Sequence, residues 1–373
     1  MDIFALLRQM KAMNSSDLYI KVGIPPGYRV HGSIRKSDFP PVTDEEIDGA
    51  ARLLMTEHQA RLFKDKPDLD FAFTIDTGER FRINLFRQQG HIGMAARCIQ
   101  DEDLSFETLG LPPVIREFSE LPRGLVLLTG ATGSGKSTTL AAMISHINQH
   151  FSKHVMTIED PIEFVYKDKH SIINQREIGY DTQNFHDALR HVVRQSPDVI
   201  LIGEMRDSDT MMTAISAAET GHLVLSTLHT TDVVHTLDRI INYFPDHMKA
   251  QVREELALSL EGIVGMRLLP RTDGDGRIPA MEILRATPLV RKLLRQGEHW
   301  SLPEVMQKGK EFGMQTFNQS LLHLYKKELI TYDDAMLASS NAEEFKLNSQ
   351  GMFTGTDSIS FYQRTEYDNN IIE

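Results

Sequence analysis

The apolar run Gly124-Leu125-Val126-Leu127-Leu128-Thr129 opens directly into Gly130-Ala131-Thr132-Gly133-Ser134-Gly135-Lys136-Ser137-Thr138, and a helical pattern follows from Thr139 to Ile147. The run is bounded by glycine and has the length of a buried strand. Strand, glycine-rich turn of the form G-x-x-x-x-G-K-[ST] and helix, in that order, are the setting of a phosphate-binding loop. Such a strand belongs in a mostly parallel sheet covered by helices, with ligands taken at the carboxyl ends of its strands. The bare glycines let backbone N–H groups of Gly130, Ala131, Thr132, Gly133, Ser134 and Gly135 converge on a β-phosphate. The helix start adds unpaired N–H groups and the positive end of its dipole. Lys136 supplies a point charge to the β- and γ-phosphates. Ser137 offers a hydroxyl to Mg2+, with Thr138 beside it. The expected ligand is a nucleoside triphosphate with Mg2+.

Three further stretches end in chemically useful residues. Asp198-Val199-Ile200-Leu201-Ile202-Gly203-Glu204 reads as a buried strand ending in a carboxylate, which places Glu204 to hold Mg2+ directly or through water. Asp198 is at the wrong end for that role. Thr157-Ile158-Glu159-Asp160-Pro161-Ile162-Glu163 follows another strand and carries acids suited to orienting and deprotonating an attacking water. Glu163 is the first choice for that base and Glu159 the second; the sequence does not separate them. His222 and His229 bracket a strand of about 23 Å at roughly 3.3 Å per residue, so both cannot reach one γ-phosphate from the same subunit. His229, at the carboxyl end, is the better sensor, and His222 suits a local turn or a subunit interface.

Upstream, the chain alternates short strands and helices. Ile3, Leu6, Leu7 and Met10 share one face of an N-terminal helix. Thr43 and Glu46 have capping-box spacing. Arg80, Arg82, Arg87 and Arg97 crowd the strands near residue 90, with Arg80 and Arg82 on one face and Arg87 on the other. They are either a solvated strand face or, for Arg80, Arg82 and Arg97, arginine fingers that reach the phosphates of a neighbouring subunit.

The expected division is an α+β domain over 1–100, a linker over 101–113, the nucleotide domain over 114–340 and a polar acidic tail over 341–373. The stretch from Val233 to Ser340 reads as mostly helical. The tail reads as flexible, with Phe345, Phe353 and Phe361 as its available anchors. A net charge of −12 disfavours a nucleic-acid motor, which needs a basic stripe with aromatic platforms. The single cysteine, Cys98, excludes a disulfide framework or a Cys-rich zinc site. No apolar run approaches the roughly 18 residues of a membrane span, so the expected location is the cytoplasm.

Taken together, Gly130–Ser137, Thr157–Glu163, Asp198–Glu204 and His222–His229 resemble the phosphate loop, aspartate box, acidic strand and histidine box of the secretion ATPases of bacterial type II and type IV systems. The likeness covers residues 1 to about 340. It implies ATP as the nucleoside triphosphate, a PAS-like N-terminal domain, a RecA-like second domain and a hexameric ring. Within that family the chain is similar to the branch that retracts type IV pili, through Ser16-Asp17-Leu18, Arg123-Gly124-Leu125, Asn174-Gln175-Arg176-Glu177 and Glu219-Thr220-Gly221-His222. That branch implies a paralogous retraction ATPase and an inner-membrane pilus platform protein as partners, with peripheral attachment to the inner membrane through the platform. The principal motor's Ala-Ile-Arg-Asn-Leu-Ile-Arg-Glu is here Leu289-Val290-Arg291-Lys292-Leu293-Leu294-Arg295-Gln296. The missing asparagine and glutamate, with the acidic tail, point to the accessory type; the principal motor and a weakly hydrolysing regulatory subunit are the alternatives.

Overall fold

The computed structural model describes residues 1–13, 15–30, 33–99, 104–274 and 276–352. The fold is mixed α/β. The chain divides into two compact units, residues 1–103 with Pro161–Val165, and residues 104–160 with 166–373.

The first unit runs α1 (Ile3–Ala12), β1 (Ser15–Lys21), β2 (Gly27–Val30), β3 (Ser33–Lys36), α2 (Asp44–Leu54), α3 (Glu57–Asp65), β4 (Asp68–Thr74), β5 (Arg80–Gln88) and β6 (His91–Ile99). Among the described residues its strands form an antiparallel sheet in the order β3-β2-β1-β6-β5-β4. Asp2 caps α1, and Ile3, Leu6, Leu7 and Met10 are its buried face. Both parts of the Thr43–Glu46 capping box form at the start of α2. Ser15 to Asp17 lie in β1, where its pairing with β2 shifts register, as at a bulge. The core joins Leu18, Ile20, Phe81, Ile83 and Leu85 to the helices.

The second unit runs α4 (Pro113–Ser119), β7 (Gly124–Thr129), α5 (Lys136–His150), β8 (His154–Glu159), β9 (Ile172–Glu177), α6 (Phe185–Val192), β10 (Val199–Ile202), α7 (Ser208–Glu219), β11 (Leu223–Leu228), α8 (Val233–Asn242), α9 (Lys249–Ser259), β12 (Leu260–Pro270), β13 (Arg277–Arg285), α10 (Pro288–Gln296), α11 (Leu302–Lys308), α12 (Phe317–Lys326), α13 (Tyr332–Ala338) and α14 (Ala342–Ser349). The sheet order is β13-β12-β7-β11-β10-β8-β9. All neighbours run parallel except the edge pair β12–β13. Leu125 and Leu127 point into a core with α6 to α10. Strand alternation turns Val126 and Leu128 to the other face, and α5 packs against β7.

Two expectations need correction. The stretch read as mostly helical contains β12 and β13. β12 is buried without a break from Gly262 to Met266, so it shows no polar alternation there, and Gly262 and Gly265 interrupt its apolar pattern. At Gly262 a Cβ would stand 2.3 Å from the Phe118 ring, so the glycine is what lets α4 close on the strand. The flexible tail does not begin at Asn341. Asn341 caps α14, and buried Asn318 donates to the Asn341 carbonyl and to Glu344. Phe345 is fully buried, with ring centroids of Tyr325 and Tyr332 at 6.4 and 6.0 Å. Its pocket is made by α12 and α13, which local composition does not reveal. Residues 353–373, with Phe353 and Phe361, lie outside the described residues. Replacing a buried phenylalanine costs about 3–5 kcal/mol, so Phe345→Ala should markedly lower the denaturation midpoint of the second unit. An unchanged midpoint would show that α14 adds nothing to that core.

Candidate nucleotide-binding site

The phosphate loop is set by its glycines. Gly130, Gly133 and Gly135 have φ of 145°, 79° and 98°, and a Cβ on Gly130 would meet the Met266 carbonyl at 2.5 Å. Gly130 is therefore needed both for its conformation and for the close passage of β12. Ala131, Thr132 and Gly133 form the exposed lip, while Ser134 and Lys136 are buried. Lys136 Nζ donates to the Gly130 and Ala131 carbonyls at 2.8 and 2.9 Å, which keeps the ammonium inside the loop. Ser137 and Thr138 occupy the first turn of α5, with Ser137 exposed. A loop shaped by left-handed glycines, a helix start and an inward ammonium fit a polyphosphate. Among the described residues no group of three His, Cys, Asp or Glu gathers to hold a metal. Mg2+ bound with a nucleotide needs none, since phosphate oxygens and waters complete its shell around one hydroxyl or carboxylate.

Glu204, His229 and Glu159 come to the same sheet edge. β11 separates β7 from β10, and His229 follows β11 as Glu204 follows β10. Ser226 and Thr227 hydroxyls donate to the Ile202 and Gly203 carbonyls at 2.9 and 2.6 Å and tie the two strand ends together. Glu204 is ion-paired with Arg206 and has the His229 imidazole at 3.6 Å. Arg206 also reaches Asp160 at 3.7 Å. Burial lowers the His229 pKa, and positive Lys136, Arg206 and Arg239 push it the same way against Glu204. The shift favours the neutral imidazole, and Lys136, Glu204 and His229 share one electrostatic neighbourhood. A titration of His229 should have its midpoint below the ordinary imidazole value; Glu204→Gln should lower it further and Lys136→Ala should raise it. A midpoint that ignores both substitutions would dissolve the cluster.

Glu159, at the end of β8, accepts from Thr157 Oγ1 at 2.6 Å and from Gln175 Nε2 at 3.2 Å. Glu163 is exposed and lies in the segment that groups with the first unit. Arg80, Arg82 and Arg97 are also in the first unit. Arg97 donates to Asp17 at 2.9 Å, Asp17 also has Arg29 at 3.4 Å, and Arg82 lies 3.6 Å from Asp70. Arg82 and Arg97 are cross-strand partners. Arg87, on the other face, stacks over Phe63 at 5.2 Å. His222 Nδ1 donates to the Ala217 carbonyl, 2.9 Å away, in the turn before β11, while Asp198 accepts the His154 amide at the far end of the sheet. Sequence reasoning missed Arg206, Gln175 and Arg239, whose guanidinium donates to the His229 carbonyl at 3.3 Å. A cation two residues beyond Glu204 was the available signal for Arg206.

A parallel sheet carrying this loop, with a carboxylate and an imidazole at the ends of the neighbouring strands, defines a P-loop nucleotide-binding protein. Residues 90–326 match the family described as Type II/IV secretion system protein, and the chain belongs to that family. It is 41% identical to the type IV pilus retraction ATPase PilT of Pseudomonas aeruginosa over 92% of this chain and 100% of that protein. It is likewise 41% identical to the type IV pilus ATPase PilU of the same organism, over 93% of this chain and 91% of that protein. A crystal structure of the pilus retraction motor PilT with bound ADP superposes with a TM-score of 0.87 at 43% identity, covering 92% of this chain and 98% of that one. Among the described residues no helix is long and apolar enough to cross a membrane.

Proposed function

We propose that this chain is a Mg2+-dependent ATPase that powers or assists retraction of type IV pili, as a hexameric ring of PAS-like and RecA-like domains. The observation that carries the reading is the gathering of Lys136, Glu204 and His229 at one sheet edge beside the phosphate loop. In this reading Lys136 neutralises the β- and γ-phosphates, Ser137 and Glu204 hold the metal side of the nucleotide, and His229 senses the γ-phosphate. Mg2+, when bound with the nucleotide, would supply neutralising charge to the phosphates. Glu163 or Glu159 orients the water. Arg80, Arg82 and Arg97 act on the site of a neighbouring copy, so the active unit is the assembly.

Residues 289–296 favour the accessory, PilU-type role over the principal, PilT-type one. Arg291 and Arg295 are taken up in docking α10 on its neighbours, through Glu261 and Glu254 at 2.8 and 2.9 Å. The positions that differ from the principal motor's pattern are Lys292 and Gln296. A paralogous retraction ATPase and an inner-membrane platform protein are the partners this role requires, with the ring on the cytoplasmic side of that membrane.

Phosphate release by the purified chain tests the enzyme reading: no release above background with ATP and Mg2+ sinks it. Full activity per subunit in confirmed monomers sinks the shared site. Deletion in the source cell, complemented by wild type and by Lys136→Ala, tests the role. Retraction rescued by the catalytically dead form supports the accessory part, and failure of that rescue supports the principal one.

A further inference from the structure

Glu282 is a carboxylate inside the second unit, 7% exposed, on β13. Its Oε2 accepts the Val233 backbone N–H at 2.8 Å. Val233 is the first residue of α8, so that N–H has no partner within its own helix. The cap does not serve it either, because Asp232 Oδ1 is spent on the His235 amide at 2.9 Å. Four residues before Val233 stands His229. Among the other ties of the loop between them are Thr230 to Thr236 at 2.7 Å and Arg239 to the His229 carbonyl at 3.3 Å. Both join the loop to the helix it leads into and travel with it. The Glu282 bond instead fastens loop and helix to the sheet.

The surroundings make that carboxylate expensive. Burial raises its pKa to about 7; the bond from Val233 opposes the rise and nearby Asp232 adds to it. Arg267, on β12, eases the charge, but Arg267 is itself committed: it lies 3.8 Å over the Phe317 ring and donates to the Ala338 carbonyl and to Ser340. An apolar residue of similar volume would avoid these costs but would leave the Val233 N–H buried without an acceptor. The space is also prepared, since Gly265, across the β12–β13 pair, has the Phe317 ring at 3.1 Å and Glu282 Cβ at 3.4 Å from where its own Cβ would be.

We infer that Glu282 is a positioning residue for the nucleotide site: by accepting the Val233 N–H it holds the His229–Asp232 loop in place beside Glu204 and Lys136, and it acts on turnover through His229. This rests on the role given to His229 above.

Two substitutions separate reach from charge. Glu282→Asp keeps the charge and withdraws the acceptor by one methylene. Glu282→Gln keeps the reach and a carbonyl acceptor and removes the charge. In phosphate-release assays on the assembled full chain with ATP and Mg2+, Glu282→Asp should lower kcat about tenfold with KM within about twofold, and Glu282→Gln should stay within about threefold of wild type. His229→Ala and His229→Ala/Glu282→Asp complete a cycle, and the double variant should be no slower than His229→Ala. Losses that multiply, a Gln variant as slow as the Asp variant, equal damage to kcat and KM, or wild-type kcat in Glu282→Asp would each overturn the inference. Amide exchange at Val233 in the folded Gln variant gives a second reading. Protection like that of wild type is expected, and free exchange with kcat intact would show that turnover does not depend on the bond. Wild-type turnover in His229→Ala would instead remove the role of His229 itself.

Discussion

Lys136→Ala should bring ATP turnover down to background, a fall of at least about a hundredfold, the scale set by removing one charge-stabilising group from an active site. The side chain is buried, and its ammonium stands between the Gly130 and Ala131 carbonyls, inside the loop that takes the phosphates. A cation there is worth more than on the surface because little water screens it. The loop's shape comes from Gly130, Gly133 and Gly135 and from β12 behind it, so the variant should fold and keep the wild-type melting behaviour. Turnover that survives in a folded Lys136→Ala protein would refute the site assignment.

Glu204→Gln should lower kcat by about a hundredfold or more while the protein still binds nucleotide, the range expected when one acid–base or metal-orienting group is lost. Glutamine keeps the shape but not the charge that pairs with Arg206 and faces His229. Arg206 would then turn toward Asp160, which it already approaches at 3.7 Å. The same exchange at Glu159 and at Glu163 ranks the candidate bases: the larger kcat loss with binding intact marks the water-orienting acid. If Glu204→Gln turns over normally, the metal side of the site has been placed on the wrong strand.

How much of this was legible follows from what each feature depends on. The phosphate loop, Glu204 and His229 could be read because each is a residue type at the end of a short apolar run, and parallel strands bring such ends to one edge. The face carrying Ile3, Leu6, Leu7 and Met10 could be read because helical spacing reports burial directly. β12 and β13 could not, since strands buried on both faces lose the alternation that marks them. Arg206 and Gln175 could not, because their roles depend on which way a side chain leaves a loop or an edge strand. The grouping of Pro161–Val165 with the first unit was invisible for a similar reason: it depends on where the chain travels in space, and no local pattern records it.

The position of β12 also constrains how the protein is made. β7, which carries the phosphate loop, has β11 on one side and β12 on the other. The second neighbour is therefore synthesised more than a hundred residues after the strand it covers. A ribosome that has passed the glycine-rich turn, and even the histidine that follows β11, has not yet produced the strand whose Met266 carbonyl closes on Gly130. Until about residue 270 has emerged, the central strand waits with an apolar, unpaired edge. Premature termination after His229 and before β12 yields a chain that contains every catalytic motif and has no finished place to put them.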